Sequence, residues 1–537
     1  MKIVQVNTRD IRGGAALAAY RLHKSLRQLG QDSRMAVRWK VSTDPTVLEV
    51  TSQALELELQ SPEWLAIQRR YLNRNLTNRA KTLFTAAYPG LDLTSVEAIA
   101  QADIIHLHWV SQFISPTSLK ALLELGKPVV WTLHDMAPFT GGCHYSSGCS
   151  GYTDNCAPCP QLQNDPYHLP SAVLQDKLEL LAHVPNLTIV TPSRWMAQEA
   201  RQSRLLGNCP IHVIPNPIET DVFRPLGKPA ARRRLGLKPG AFTFIAQSSI
   251  ESRKEFPQVL EAIRRALQNG KFRAAANAGK IQFLFFGNIS HPLDAPDIPY
   301  VHVGFCNSPQ KLAELYSAAD AFILPSLEDN LPNVMLEAIS CGTPLIGFDV
   351  GGMPDVIRSG KTGWLAPVGD FKRMAELIVD CVLQREASVA MQSLCREIAE
   401  TEYSMPVIGQ RFLALYESLL QSSSNGSSSS TSSNSGGTAT LVNTVLTETV
   451  SPPVQTSLAG FNATLGEHYE AIHKPVLVHA LLHDTQELQT QERRIQFLEA
   501  EMTQKNQLIE AMETSKFWKL RGLWFRIKRR LGLPAEE

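Results

Sequence analysis

Between Ser326 and Ile357 the chain reads SLEDNLPNVMLEAISCGTPLIGFDVGGMPDVI, and its acidic residues have a spacing that suits a nucleotide. Asp329 and Glu337 stand eight positions apart, with Glu328 beside the first. The run FILPS reads as a strand ending at Ser326. Asn330–Leu331–Pro332 reads as the start of a helix, where an early Pro is tolerated. A helix that begins at the carboxyl end of a strand offers unpaired N–H groups and the positive end of its dipole to a diphosphate. Glu337 could accept two hydrogen bonds from a ribose diol, and Asp329, at the mouth, could meet a sugar hydroxyl. Without a nucleotide, the same residues read as an N-cap and a solvated helical glutamate.

Other groups could complete such a site. Arg253 and Lys254, in ESRKEF, could stabilise charge on a leaving diphosphate without a metal. His134 and Asp135 close the strand PVVWTLHD, where Asp135 could orient the imidazole or touch an acceptor. His106 and His108 alternate in IIHLHW and so share one strand face, which could line the acceptor side or be buried and hydrogen-bonded. Gly13–Gly14 lie between a first strand and a helix, where missing side chains allow close backbone approach. Cys143, Cys149, Cys156 and Cys159 could bind one structural Zn²⁺ through four thiolates, with His144 able to replace one. Two disulfides or free thiols are the alternatives, because only Cys156-x2-Cys159 has firm ligand spacing. Gly360–Lys361–Thr362 ends like a phosphate loop, but Asp355 stands where that loop needs Gly. No G-x-G-x-x-G follows a strand, so a nicotinamide enzyme is not supported.

Taken in order, these segments resemble the retaining glycosyltransferases of family 4, whose fold is GT-B. The family motif is Glu-x7-Glu, then Cys-Gly-x-Pro and Gly-Gly-x-Pro-Glu. This chain has Asp329 and Glu337, then Cys341–Gly342–Thr343–Pro344 and Gly351–Gly352–Met353–Pro354–Asp355. It differs in Asp329 and Asp355, each replacing Glu, so either Glu328 or Asp329 meets the donor sugar. Lys254 matches the family lysine. The family arginine falls on Ser249, and Arg253 could compensate.

The resemblance implies a nucleotide-sugar donor held by Gly14, Arg253, Lys254, Glu328, Asn330, Asn333, Val334 and Glu337. His134, Asp135 and Asp329 would stand at the reacting centre. It implies front-face displacement with retention, no catalytic cofactor and no protein nucleophile. The stretch from Trp131 to Leu162 is similar to a bacterial colanic-acid and exopolysaccharide subgroup, which implies a glycan or lipid-linked glycan acceptor. A nucleotide-sugar epimerase and a decayed scaffold acting through its tail are the competing readings.

The elements that must position these residues follow from hydrophobic patterning. Short apolar runs alternate with amphipathic segments from Met1 to about Leu420, and the series restarts at FTFIAQSS. The expected fold is therefore α/β, with two Rossmann-like doubly wound domains facing a cleft. The expected division is an acceptor domain over 1–215, a donor domain over 216–400 and a returning helix over 401–420. A Ser/Gly-rich disordered linker over 421–458 and a helical tail over 459–537 would follow.

In the tail, apolar residues recur every seven positions from Leu481 to Ile509, a seam through which residues 481–512 could pair two chains; because Asp484, Gln491 and Lys505 at the companion positions are polar, a solvated single helix is the alternative. Residues 515–533 form a basic amphipathic pattern with Trp, suited to a membrane surface or to docking on the protein itself. The chain has 537 residues and a net charge of +1, so no global basic excess points to nucleic acid. MKIVQV runs directly into a polar stretch and reads as a strand rather than an export signal. A cytoplasmic location, with contact at the inner membrane face, is expected.

Overall fold

The computed structural model describes residues 1–181, 184–248, 256–287, 295–426, 460–462 and 464–481. Arg253, Lys254, the 427–458 part of the linker, residues 482–512 of the heptad seam and the basic 515–533 segment lie outside the described residues.

The first half contains β1 (Lys2–Arg9), β2 (Asp32–Trp39), β3 (Val47–Glu49), β4 (Gly90–Asp92), β5 (Ile104–Leu107), β6 (Val129–Thr132), β7 (Leu187–Thr191) and β8 (Ile211–Val213). All but β4 join a parallel sheet of order β3-β2-β1-β5-β6-β7-β8. The second half contains β9 (Phe242–Ser248), β10 (Ile281–Gly287), β11 (Tyr300–His302), β12 (Ala321–Leu324), β13 (Leu345–Asp349) and β14 (Gly363–Pro367). These form a second parallel sheet, β11-β10-β9-β12-β13-β14.

Both are doubly wound sheets. Their strands, such as Phe242–Ser248 and Ile281–Gly287, are buried on both faces, which is why they read as nearly continuous apolar runs. Strand order reverses between β1 and β5 in the first sheet and between β9 and β12 in the second. The crevices at those switch points are where such sheets bind ligands.

The chain returns to the first domain through the helix Met405–Gly426. Ile408, Phe412 and Tyr416 pack with Ile3, Leu22 and Ile104, and Ser25 Oγ donates to the Met405 carbonyl at 2.5 Å. This helix takes up residues 421–426, so the expected linker begins at least six residues too early. Apolar contacts of the preceding turns carry the helix past the point where Ser-rich composition begins.

The tail is not wholly helical. Its strand β15 (Gly460–Asn462) pairs antiparallel with β4. Residues 467–481 are helical, and Tyr469, Val476 and Ala480 bury against Tyr71, Leu72 and Tyr88. Asp176 caps this helix by accepting from the N–H groups of His468 (2.8 Å) and Tyr469 (3.1 Å). A chain cut after Leu420 would therefore uncover an apolar patch on the first domain. Among the described residues no helix is long and apolar enough to cross a membrane.

Candidate active site

On the second domain, β12 leads through residues 325–332 into the helix Asn333–Ser340. Pro332 is its N-cap, so the helix starts three residues after Asn330. Pro332 takes extended φ/ψ and ends the loop rather than sitting inside the first turn. The loop is fixed from behind by Gly351–Gly352. The Gly352 N–H donates to the Asp329 carbonyl at 3.0 Å. A Cβ at Gly351, where φ is +56°, or at Gly352 would collide with the carbonyl oxygens of Asp329 and Asn330. The paired glycines thus set where the acidic loop lies.

The donor-side residues meet the first domain directly. Asn330 is buried. Its Nδ2 donates to the carbonyls of Leu133 (2.9 Å) and His134 (3.2 Å), and its Oδ1 accepts from Ser193 Oγ at 2.6 Å. Asn333 Nδ2 donates to the Gly14 carbonyl at 2.8 Å and also faces Asn216. Gly13, with φ +103°, is the N-cap that turns β1's loop into the helix Gly14–Gln28. Asp329 accepts from Tyr145 Oη at 3.3 Å, and Glu328 from the Ser147 N–H at 3.1 Å. Asp355, standing where the motif has Glu, accepts from both the backbone N–H and Nε of Arg194 at 2.7 Å.

Glu337 is buried and bound by Arg21 Nη2 at 3.0 Å and Tyr316 Oη at 3.3 Å. Arg21 is fully buried, shares its Nε with Glu219 at 3.1 Å, and leaves Nη1 without a hydrogen-bond partner among the described residues. Burial opposes ionisation of Glu219, but Arg21 and Lys24 outweigh it and hold its carboxyl below the ordinary value. Val334 lies half-buried in the helix beside Asn333.

The first-domain wall is a chain of neutral rings. Gln5 Oε1 accepts from His108 Nε2 at 2.6 Å, and His108 Nδ1 lies 3.1 Å from His134 Nε2. With both rings neutral, His134 donates through Nε2 and keeps a lone pair on Nδ1. Burial pushes His134 down to about 4 against the pull of Asp135, and drives His106 and His108 well below the ordinary value. Asp135 does not hold the His134 ring. Its carboxylate accepts from Trp109 Nε1 (2.7 Å), His144 Nδ1 (2.6 Å) and the Ala137 N–H (3.0 Å). Burial works against its charge, but these partners prevail and keep it ionised.

Comparison with known proteins agrees with this arrangement. Residues 12–222 match the family model described as Glycosyltransferase Family 4, and residues 241–384 match the model Glycosyl transferases group 1. The chain is a family-4 glycosyltransferase of GT-B fold. It is 27% identical over 380 residues to the putative colanic acid biosynthesis glycosyl transferase WcaC of Escherichia coli K12, covering 67% of this chain and 87% of the relative. Sucrose-phosphate synthase from Thermosynechococcus elongatus is similar in structure, with a TM-score of 0.52 and 16% identity over 78% of this chain and 99% of that one. Anabaena HepE in complex with UDP gives a TM-score of 0.50 and 15% identity over 78% and 100%. The enzyme uses a nucleotide-sugar donor and retains anomeric configuration.

In this glycosyltransferase an open cavity lies beside His134 and Asp135, lined also by Trp109, Trp131, Ile114 and Leu119. His108 reaches it. His106 does not line it, which corrects its expected place on the acceptor side. The ring is fully buried between Tyr416 Oη and Thr132 Oγ1, both at 2.7 Å, and packs on Phe412. The returning helix covers that end of the strand face. Cys143, Cys149, Cys156 and Cys159 are free thiols that line one small, almost wholly apolar cavity, and no group of three or more His, Cys, Asp or Glu among the described residues could hold a metal ion. Sequence reasoning missed Arg21, Tyr145, Ser193 and Gln5. Arg21 had one visible sign, a cation on the apolar face of AALAAYRLHKSL; the others carry none.

Proposed function

We propose that the enzyme transfers a hexose from its nucleotide-sugar donor to a glycan, and in particular a lipid-linked glycan, in cell-surface polysaccharide synthesis. The observation that carries this reading is the largely apolar cavity beside His134, with Trp faces for a sugar and Ile114, Leu119 and Leu181 for a hydrocarbon. The likeness to a colanic-acid enzyme supports the same acceptor class.

In this reading the diphosphate sits at the N-terminus of Asn333–Ser340, with Arg253 and Lys254 as its cationic clamp. Glu337 trades its Arg21 contact for the ribose. Asp329 or Glu328 holds a sugar hydroxyl, and His134 Nδ1 accepts another. The acceptor oxygen bonds the anomeric carbon on the face from which the diphosphate leaves, and its proton passes to the leaving phosphate. Closed domains exclude water.

Residues 515–533 would hold the enzyme at the cytoplasmic membrane face, and 481–512 would pair two chains. Pelleting with anionic vesicles checks the first, and sedimentation checks the second.

The deciding experiment screens nucleotide sugars for thermal stabilisation, then supplies the best donor with and without lipid-linked glycans. Transfer only when the acceptor is present is expected. A free epimer formed from donor alone would establish the epimerase reading instead, and no binding of any nucleotide sugar would leave the scaffold reading.

A further inference from the structure

Gln5 is fully buried on β1, an interior strand of the first sheet, between Val4 and Val6. Its Oε1 accepts from His108 Nε2 at 2.6 Å. Its Nε2 has no hydrogen-bond partner among the described residues. A buried N–H without a partner costs stability that an apolar side chain at this position would not. What the amide supplies in return is its bond to His108.

That bond is the first of a line that runs to the site. His108 follows β5 and His134 follows β6, the strands next in the sheet after β1. His108 Nδ1 lies 3.1 Å from His134 Nε2. The His108 ring is packed, its centroid 4.2 Å from that of His106 and 5.3 Å from that of His134. His134 lies at the wall of the cavity. Burial keeps both rings neutral, so the choice along the line is between tautomers and not between charge states.

With neutral rings, two proton arrangements are self-consistent. In the first, His108 donates its Nε2 proton to the Gln5 oxygen, its bare Nδ1 accepts from His134 Nε2–H, and His134 Nδ1 keeps a lone pair. In the second every bond is reversed: the Gln5 amide donates, His108 donates through Nδ1, and His134 carries its proton on Nδ1. Because Gln5 presents its oxygen to His108, the first arrangement is the one that fits.

We propose that Gln5 is a positioning residue: through His108 it fixes the tautomer of His134, so that Nδ1 meets the donor sugar as a hydrogen-bond acceptor. The sugar contact rests on the reading of His134 given above; the tautomer does not. Gln5→Met keeps the length of the side chain and removes its strong acceptor. His108 Nε2–H would then face a thioether, which accepts only weakly, and the line should turn toward the second arrangement.

NMR correlation of ring nitrogens with their carbon-bound protons, on the full chain labelled at histidine nitrogen, reports which nitrogen of each ring is bare. His134→Gln and His108→Gln identify the two rings by loss of their signals. In the wild type both should carry the proton on Nε2. A wild-type His134 protonated on Nδ1 would overturn the proposal, whether or not any variant folds. In Gln5→Met, His134 should move toward Nδ1–H, and an unchanged tautomer would also overturn it. Turnover is read as nucleoside diphosphate released from UDP-glucose, UDP-N-acetylglucosamine or GDP-mannose, whichever raises Tm most. Gln5→Met should slow it about tenfold, and should slow His134→Ala no further. An equal loss in both backgrounds would mean that Gln5 acts elsewhere and would sink the proposal. A tautomer that shifts while neither Gln5→Met nor His134→Ala slows turnover would uphold the relay and overturn His134 as the sugar contact.

Discussion

The second-domain wall of the cleft draws Glu328, Asp329, Asn330, Asn333 and Glu337 from one strand–loop–helix unit. The first-domain wall draws Gln5, Gly14, Arg21, His108, His134 and Tyr145 from separate loops, strands and a helix. The former is acidic and polar, anchored by close backbone approach at Gly351–Gly352. The latter presents the neutral imidazoles of His108 and His134 and aromatic side chains to the cavity. The difference matches the two jobs. A wall that grips a nucleotide sugar needs groups that accept from hydroxyls at fixed distances. A wall that receives an acceptor needs a dry surface in which a neutral imidazole can accept a hydrogen bond without gaining a proton.

Four experiments would break or sharpen this contrast. The largest effect is expected on the donor side: Lys254→Ala should lower turnover about 10³-fold through loss of a cation on the leaving diphosphate. Near-normal turnover would remove the clamp.

Next, Glu337→Gln leaves Arg21 buried with only Glu219 as ion partner, and should cost about 3 kcal/mol in urea unfolding while weakening donor affinity. An unchanged midpoint would mean the pair across the cleft does not form in solution.

On the acceptor side, His134→Ala should lower kcat about 10²-fold with little change in Tm, and Gln should restore part of it. Loss of stability without a change in kcat would make His134 structural.

The smallest effect, per pH unit, is a pH dependence. His134 and His23 are held at about 4, from an ordinary 6.5, because burial penalises their charged forms. A depressed histidine binds its proton in the unfolded chain first. Stability is therefore full above about 6.5 and is lost as pH falls from there toward about 4. Each such group should cost on the order of 1 kcal/mol per pH unit in that window. A Tm that stays flat from neutral to mildly acidic pH would show these rings to be solvated.

The tail adds a related lesson. Composition makes 421–458 a linker and 459–537 a separate helical tail, yet 464–481 completes an apolar cluster of the first domain, with Asp176 capping its helix. Weak periodicity hid this, because the tail's apolar residues find partners such as Tyr71 and Tyr88, some four hundred positions earlier in the chain.

Sequence by itself determined the two alternating α/β series, the acidic loop and its helix, the Gly-Gly turns, and the placing of His134 at a strand end. Each of these is a short-range pattern, fixed by what a strand, turn or helix start demands of neighbouring residues. Tertiary structure decided the rest. Arg21 meets Glu337, and Asn330 meets the His134 carbonyl, only because two sheets face each other. His106 turns from the acceptor side because Tyr416 comes back over it, and Asp135 turns from His134 to His144. Partners hundreds of residues apart are chosen by sheet register and domain closure, and nothing in the local chain records that choice.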